Sequence, residues 1–198
     1  MTDIARYEDL VFAVGEYIDR DDLVDLMPRF VGLAELRLNR DLRADQQTVS
    51  TTISIVNGEA TLPADCLEIR SLYQVNYRPL RAMAEEELAD FTDGGVPVGF
   101  VVRAGVLRVV PASTITMNIV YSRKVPALTA ASPTNWLLTN APDLYLWSTC
   151  AEAATYIKNV ELGSIANQRY SDAMTQYRAA DNAYRWSRAR VMPQGVNP

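Results

Sequence analysis

The spacing of apolar residues changes twice along this chain, and that switch limits its fold more than any other feature. In the opening segment Tyr7, Leu10, Val11, Val14, Tyr17 and Ile18 recur at steps of three and four, which gathers them on one helical stripe and leaves Glu8, Asp9, Glu16 and Asp19 to water. The spacing predicts a helix over about residues 4–19. The run Asp19-Arg20-Asp21-Asp22 offers N-cap oxygens and Pro28 suits a first helical turn. A second helix is therefore expected to reach about Asp41, with Phe30, Leu33, Ala34, Leu36 and Leu38 as its apolar contacts, antiparallel to the first.

From Gln47 the period falls to two and the residues become β-branched: Val49, Thr51, Ile53 and Ile55 alternate with polar neighbours. Asn57-Gly58 is a strong hairpin signal, because both residues tolerate the positive φ of a type I′ turn, and Glu59–Leu62 reads as the return strand. Further strands are expected at about 67–75, 100–103, 106–110 and 115–121, with Ala104-Gly105 as a second hairpin turn and Pro111 as a stop. The acidic stretch from Glu85 to Phe91 reads as a short helix whose carboxylates serve its N-terminal dipole and solvation.

Helical spacing returns past the loop 129–133. Pro142-Asp143 sits at a helix start, and Leu144, Leu146, Trp147, Cys150, Ala151, Ala153, Ala154 and Ile157 leave few polar positions, which marks a helix buried on more than one side. A last helix from about Glu161 to Arg188 carries the stripe Leu162, Ile165, Ala166, Tyr170, Ala173, Tyr177, Ala180 and Tyr184. The predicted class is α+β: a helical bundle formed by the two ends of the chain, with a small antiparallel β-sandwich or partly open barrel inserted between them. The expected division is an N-terminal helical pair at 1–46, a β module at 47–128, C-terminal long helices completing the bundle at 129–188, and a flexible tail at 189–198.

Composition narrows the chemistry. The 198 residues include no histidine, which removes the commonest general base, metal ligand and pH switch together, and with it every histidine-dependent triad and HExxH zinc site. Cys66 and Cys150 stand far apart without metal-binding context and are expected to be ordinary reduced thiols. Apolar runs fall well short of the ~18 residues of a membrane span, and no secretory signal opens the chain, so a protein made in a cytoplasm and kept off membranes is expected. There is no GxGxxG, GxxxxGK[ST], GxSxG or calcium-loop motif. Paired carboxylates are the remaining catalytic option, yet a consecutive run such as Glu85-Glu86-Glu87 normally faces solvent. No catalytic residue, metal or cofactor is expected.

Charge is uneven. Residues 1–96 hold 19 acids and 9 bases, whereas residues 97–198 hold 5 acids and 10 bases, so the net −5 divides into −10 and +5. Such polarity suits head-to-tail contact between copies, and an uneven scatter of solvated charge explains it as well. The C-terminal cluster Arg178, Tyr184, Arg185, Trp186, Arg188, Arg190 and Met192 combines the residue types most enriched at interface hot spots. It is the candidate docking surface; intramolecular packing of its aromatics, or stacking of single-stranded nucleic acid, are the other readings. The chain has 17 arginines and 2 lysines, a ratio that fits an association surface or a genomic bias equally. Trp136, following N-cap oxygens in Thr134-Asn135, and Trp147 are candidate anchors of the bundle.

Several of these stretches occur together in one family. The segment Gly95-Val-Pro97-Val-Gly-Phe100 through Gly105-Val-Leu107 to Pro111 resembles the β-hairpin of head-to-tail adaptor (connector) proteins of tailed bacteriophages. Tyr121, Val125-Pro126-Ala-Leu128, Thr134-Asn135-Trp136, Pro142-Asp143-Leu144-Tyr145-Leu146-Trp147 and Glu152-Ala153-Ala154 are similar to the run that leads into that family's long helices, as is Leu62-Pro63-Ala64-Asp65 before a strand. The likeness covers about residues 47–180. It implies a non-catalytic virion protein of the neck: a ring of subunits, dodecameric to match the portal, which binds beneath the portal protein and presents a platform to a tail or nozzle protein while DNA passes through the lumen. By position, the C-terminal cluster would meet the portal. An acidic protein suits a DNA channel, because dense phosphate contacts would slow transit. A capsid-decorating or carbohydrate-binding β module and a carboxylate-only hydrolase are the alternatives.

Overall fold

A computed structural model of the chain describes residues 4–42, 47–91 and 95–188, with residues 88–90 and 184–188 described by backbone alone. The chain forms two compact units, residues 1–45 with 125–198 and residues 46–124. The first is helical and the second is β, which makes the protein α+β with an inserted β module.

In the helical unit α1 spans Tyr7–Ile18, shorter than the spacing predicts. Its start is set by polar contacts. Asp9 Oδ2 accepts from the backbone N–H groups of Arg6 at 2.9 Å and Ala5 at 3.2 Å, and the Tyr7 N–H donates to the Pro133 carbonyl at 2.8 Å. The acidic run ends α1 instead of starting α2. Asp19 adopts the left-handed conformation at φ 53°, as a C-terminal cap, and Asp22 pairs with Arg20 through two bonds of 2.6 and 2.7 Å. A 3-10 segment, Asp21–Leu26, then leads into α2, Met27–Asp41, which begins with Pro28 in its first turn and has no side-chain cap.

The buried face of α2 carries Met27, Phe30, Val31, Ala34, Glu35 and Leu38, whereas Leu33 and Leu36 are exposed. At about 100° per residue, a stripe through Phe30, Ala34 and Leu38 gathers Val31 and Glu35 and rotates Leu33 and Leu36 outward. A short helix that the spacing does not reveal, α3, spans Trp136–Asn140 and is capped by Asn135, whose side chain accepts from the Leu138 N–H at 2.9 Å. Helix α4, Pro142–Tyr156, is buried on several sides, and α5 covers Val160–Arg188. Among the described side chains the docked stripe of α5 runs through Ala166, Tyr170, Ala173, Met174 and the half-buried Tyr177, whereas Ala180, predicted to belong to it, is exposed.

The β unit has two facing sheets. One has the order β1-β7-β3, from Thr48–Ile55, Ile115–Arg123 and Cys66–Tyr73; the other has the order β2-β6-β5-β4, from Glu59–Thr61, Val106–Val110, Gly99–Arg103 and Arg81–Ala82. All pairings are antiparallel except the two-residue pairing of β4 with β5. Ile53, Ile55, Leu72, Phe100, Leu107, Val109, Met117 and Ile119 fill the space between the sheets, which do not close into a barrel.

The Asn57-Gly58 turn forms with both residues at positive φ, 51° and 82°. It does not close a hairpin within one sheet. After a single bridge, Val56 with Glu59, the chain crosses over, and β2 pairs with β6 instead of β1. The Val109 N–H donates to the Gly58 carbonyl and the Gly58 N–H to the Ser113 carbonyl, so the turn serves as a corner between the sheets.

Folding also redistributes the charge. The helical unit contains 16 acids and 12 bases, and the β unit 8 acids and 7 bases, because the acidic start and basic end of the chain belong to the same unit.

Candidate docking surfaces

Past β7 the chain returns to the helical unit as a strap over α2. The Val125 N–H donates to Asn39 Oδ1 at 2.7 Å and, one helical turn back, the Leu128 N–H donates to Glu35 Oε1 at 2.6 Å. The same Glu35 oxygen accepts from the Tyr145 hydroxyl at 3.2 Å. Asn135 Nδ2 donates to the Tyr145 oxygen and to the Pro126 carbonyl, both at 2.7 Å. Burial pushes the Glu35 carboxyl above the usual range, opposed by the Leu128 and Tyr145 bonds, and burial beside Glu35 drives the Tyr145 hydroxyl well above its ordinary value. Tyr145 is fully buried and Glu35 nearly so. An acid and a phenol sealed from solvent reach no substrate; they satisfy one another and hold the strap in place. The sequence signal for Glu35 was a carboxylate falling on an apolar helical stripe.

A second polar cluster clasps α5 to the end of α2. The Tyr170 hydroxyl donates to Asp41 Oδ2 at 2.8 Å, Arg37 donates to Asn167 Oδ1 at 2.7 Å, and the Arg37 guanidinium lies 4.0 Å from the Tyr170 ring centroid. Arg178 donates to the Asp41 carbonyl, so a cation meets the C-terminal end of the α2 dipole. Burial and the neighbouring Asp41 raise the Tyr170 hydroxyl, and burial with Asp181 nearby pushes Tyr177 up to about 12.

Of the candidate docking residues, Arg178 is thus exposed but bound within its own unit. Tyr184, Arg185, Trp186 and Arg188 follow on the last turns of α5, where the backbone alone is described. Arg190 and Met192, with the whole 189–198 segment expected to be flexible, lie outside the described residues. Trp136 and Trp147 are half-buried and pack on the helical core. Trp147 stands edge-on to Tyr17 with centroids 4.9 Å apart, and the buried Trp136 Nε1 finds no acceptor among the described residues.

The acidic stretch is the 3-10 segment Glu85–Asp90. Its carboxylates are more than solvated: Glu85 pairs with Arg103 and Glu87 with Arg81 on the neighbouring strands. Both cysteines are free thiols, and burial pushes Cys150 up to about 12. Among the described residues no group of three or more His, Cys, Asp or Glu is placed to hold a metal, and no helix is long and apolar enough to cross a membrane.

What polar locks and a helix end can do is position a chain against a partner. Comparison with known families bears on that directly: the model of the SU10 adaptor protein family matches residues 5–193. The chain belongs to this family. No curated protein matches it. The SU10 adaptor proteins are a phage head-to-tail adaptor family, which agrees with the resemblance carried by residues 47–180 and extends it to α1, α2 and the end of α5. Both polar clusters and every candidate docking residue lie inside the matched range.

Proposed function

We propose that this SU10-type adaptor assembles as a ring, dodecameric to match the portal, beneath the portal protein of its phage. It offers the opposite side to a tail or nozzle protein, DNA crosses its lumen, and the protein itself is not a catalyst. The match to the adaptor family across both units is the observation that carries this reading. The architecture supports it: the strap and the α2–α5 clasp are internal locks suited to a load-bearing part, and the carboxylates Glu85 and Glu87 are paired with arginines instead of converging on a cleft.

Portal docking is assigned to the C-terminal segment beginning at Arg178 and including Tyr184, Arg185, Trp186, Arg188, Arg190 and Met192. Beyond Arg178, which is bound to the Asp41 carbonyl, the segment carries the arginines and aromatics that are most enriched at interface hot spots. Mixing the purified protein with its cognate portal and imaging by negative-stain microscopy is expected to show a ring seated on the portal. Folded protein that does not associate would overturn the reading. Deleting 186–198 is expected to keep the circular dichroism spectrum and abolish docking; undiminished docking would remove the segment from the interface.

A further inference from the structure

A groove of about 330 Å³ runs between α1 and the Asp21–Leu26 segment. Its apolar wall is Val11, Phe12 and Val24, and Phe12 and Val24 are 59% and 53% exposed, side by side in one groove. Its rim carries Glu8, Glu16 and Asp21, and the one lining cation, Arg20, is already held by Asp22. The surrounding stretch, residues 8–25, holds seven acids and one base.

An apolar groove with an acidic rim selects a basic segment with large apolar side chains. The end of the chain is a segment of this kind. Residues 184–198 carry Arg185, Arg188 and Arg190 with no acid, interleaved with Tyr184, Trp186, Val191 and Met192. We propose that this groove binds the C-terminal segment, residues 184–192, of a second copy of the chain.

The occupant comes from another copy because of where α5 leads. Arg178 meets the Asp41 carbonyl at the end of α2, and α5 continues as a helix for ten more residues, to Arg188. Six to eight residues at about 1.5 Å each carry Tyr184, Arg185 and Trp186 about 9–12 Å along the helix from Arg178, and a continuous helix cannot double back on its own chain. A segment of one copy seated in the groove of the next makes a heterologous contact, the type that builds rings. Charge complementarity would speed and orient this contact. The groove holds the segment before a portal is met and the portal displaces it on docking; the groove contact needs no portal, so each can fail without the other.

The test uses a fluorescein-labelled peptide of residues 184–198, titrated by fluorescence anisotropy into the full chain carrying Arg185→Glu, Arg188→Glu and Arg190→Glu, so that its own segment does not compete. Saturable binding that weakens as salt is raised is expected. Adding Phe12→Glu, or Glu8→Arg with Glu16→Arg, is expected to weaken binding by about tenfold or more. These side chains are on the surface, and unchanged circular dichroism and melting temperature would show that the fold survives. Absence of binding, or equal binding by the groove variants, overturns the proposal, whatever a portal does in the separate docking experiment.

Discussion

The Tyr145 hydroxyl donates to Glu35 Oε1 across 3.2 Å, from the first turn of α4 to the middle of α2, and that same oxygen accepts the amide of Leu128. One carboxylate thereby joins α2, α4 and the strap by which the chain returns from its β insertion. Because neither donor is a cation, the charge of Glu35 is stabilised by dipoles alone, and burial prevails.

Glu35 is therefore expected to oppose stability as the pH rises. Its folded value lies above its unfolded one, so the folded state holds the proton more tightly. The favourable contribution is complete below the ordinary carboxylate range and is lost as the pH climbs through the raised folded value. Glu35→Gln keeps an oxygen for Leu128 and Tyr145 but cannot titrate, so it should gain stability relative to the parent between about pH 4 and pH 7. Urea unfolding at both pH values measures this, and parallel profiles would contradict it. Glu35→Ala strands two buried donors and is expected to cost about 2–4 kcal/mol.

The α2–α5 clasp predicts a graded series. Tyr170→Phe removes the bond to Asp41 but keeps the ring under Arg37, an expected loss of about 1 kcal/mol. Arg37→Ala removes both the ring contact and the bond to Asn167 and is expected to cost more, about 1.5–2 kcal/mol. The double variant should depart from the sum, because Tyr170 and Arg37 both meet the Asp41 carboxylate. Chemical denaturation of the three variants tests the cycle, and strict additivity would count against it.

Two turns with similar backbones predict opposite outcomes. Ala104 sits at φ 48° before Gly105 at φ 80°, a left-handed position that an alanine occupies at a cost. Ala104→Asn should raise stability by about 0.5–1 kcal/mol, since asparagine tolerates this conformation and Asn-Gly suits the turn. Gly58 has φ 82°, and a Cβ there would lie 2.8 Å from the Ala112 Cβ. Gly58→Ala is expected to destabilise by about 2 kcal/mol or more, through strain and collision together. Thermal melts of the pair decide both; shifts of the same sign would refute the turn argument.

The locks explain which parts of the molecule were legible beforehand. Periodicity located α1, α2, α4 and α5 and most of the strands, since spacing reports which face of an element is apolar. The resemblance rested on residues 47–180, and the family match reaches residue 5 at one end and 193 at the other. The polar residues that tie elements together were less visible. Glu35 showed only as a carboxylate on an apolar stripe, with no hint of its partners, and Asp41, Asn167 and Tyr170 gave no sign that they meet. Asn39 and Asn135 show their partners only when the strap is laid across α2.

By itself, the sequence determined the long helices, most of the strands, their order and the α+β class, because helix and strand periods are local properties of neighbouring side chains. Tertiary structure decided the rest. It turned Asn57-Gly58 into a corner between two sheets, rotated Leu33 and Leu36 out and Glu35 in, and brought the acidic start and basic end of the chain into one unit. Each of these depends on contacts between residues tens to more than a hundred positions apart, whose partners are chosen by packing and by the need to satisfy buried polar groups. No local pattern encodes that choice.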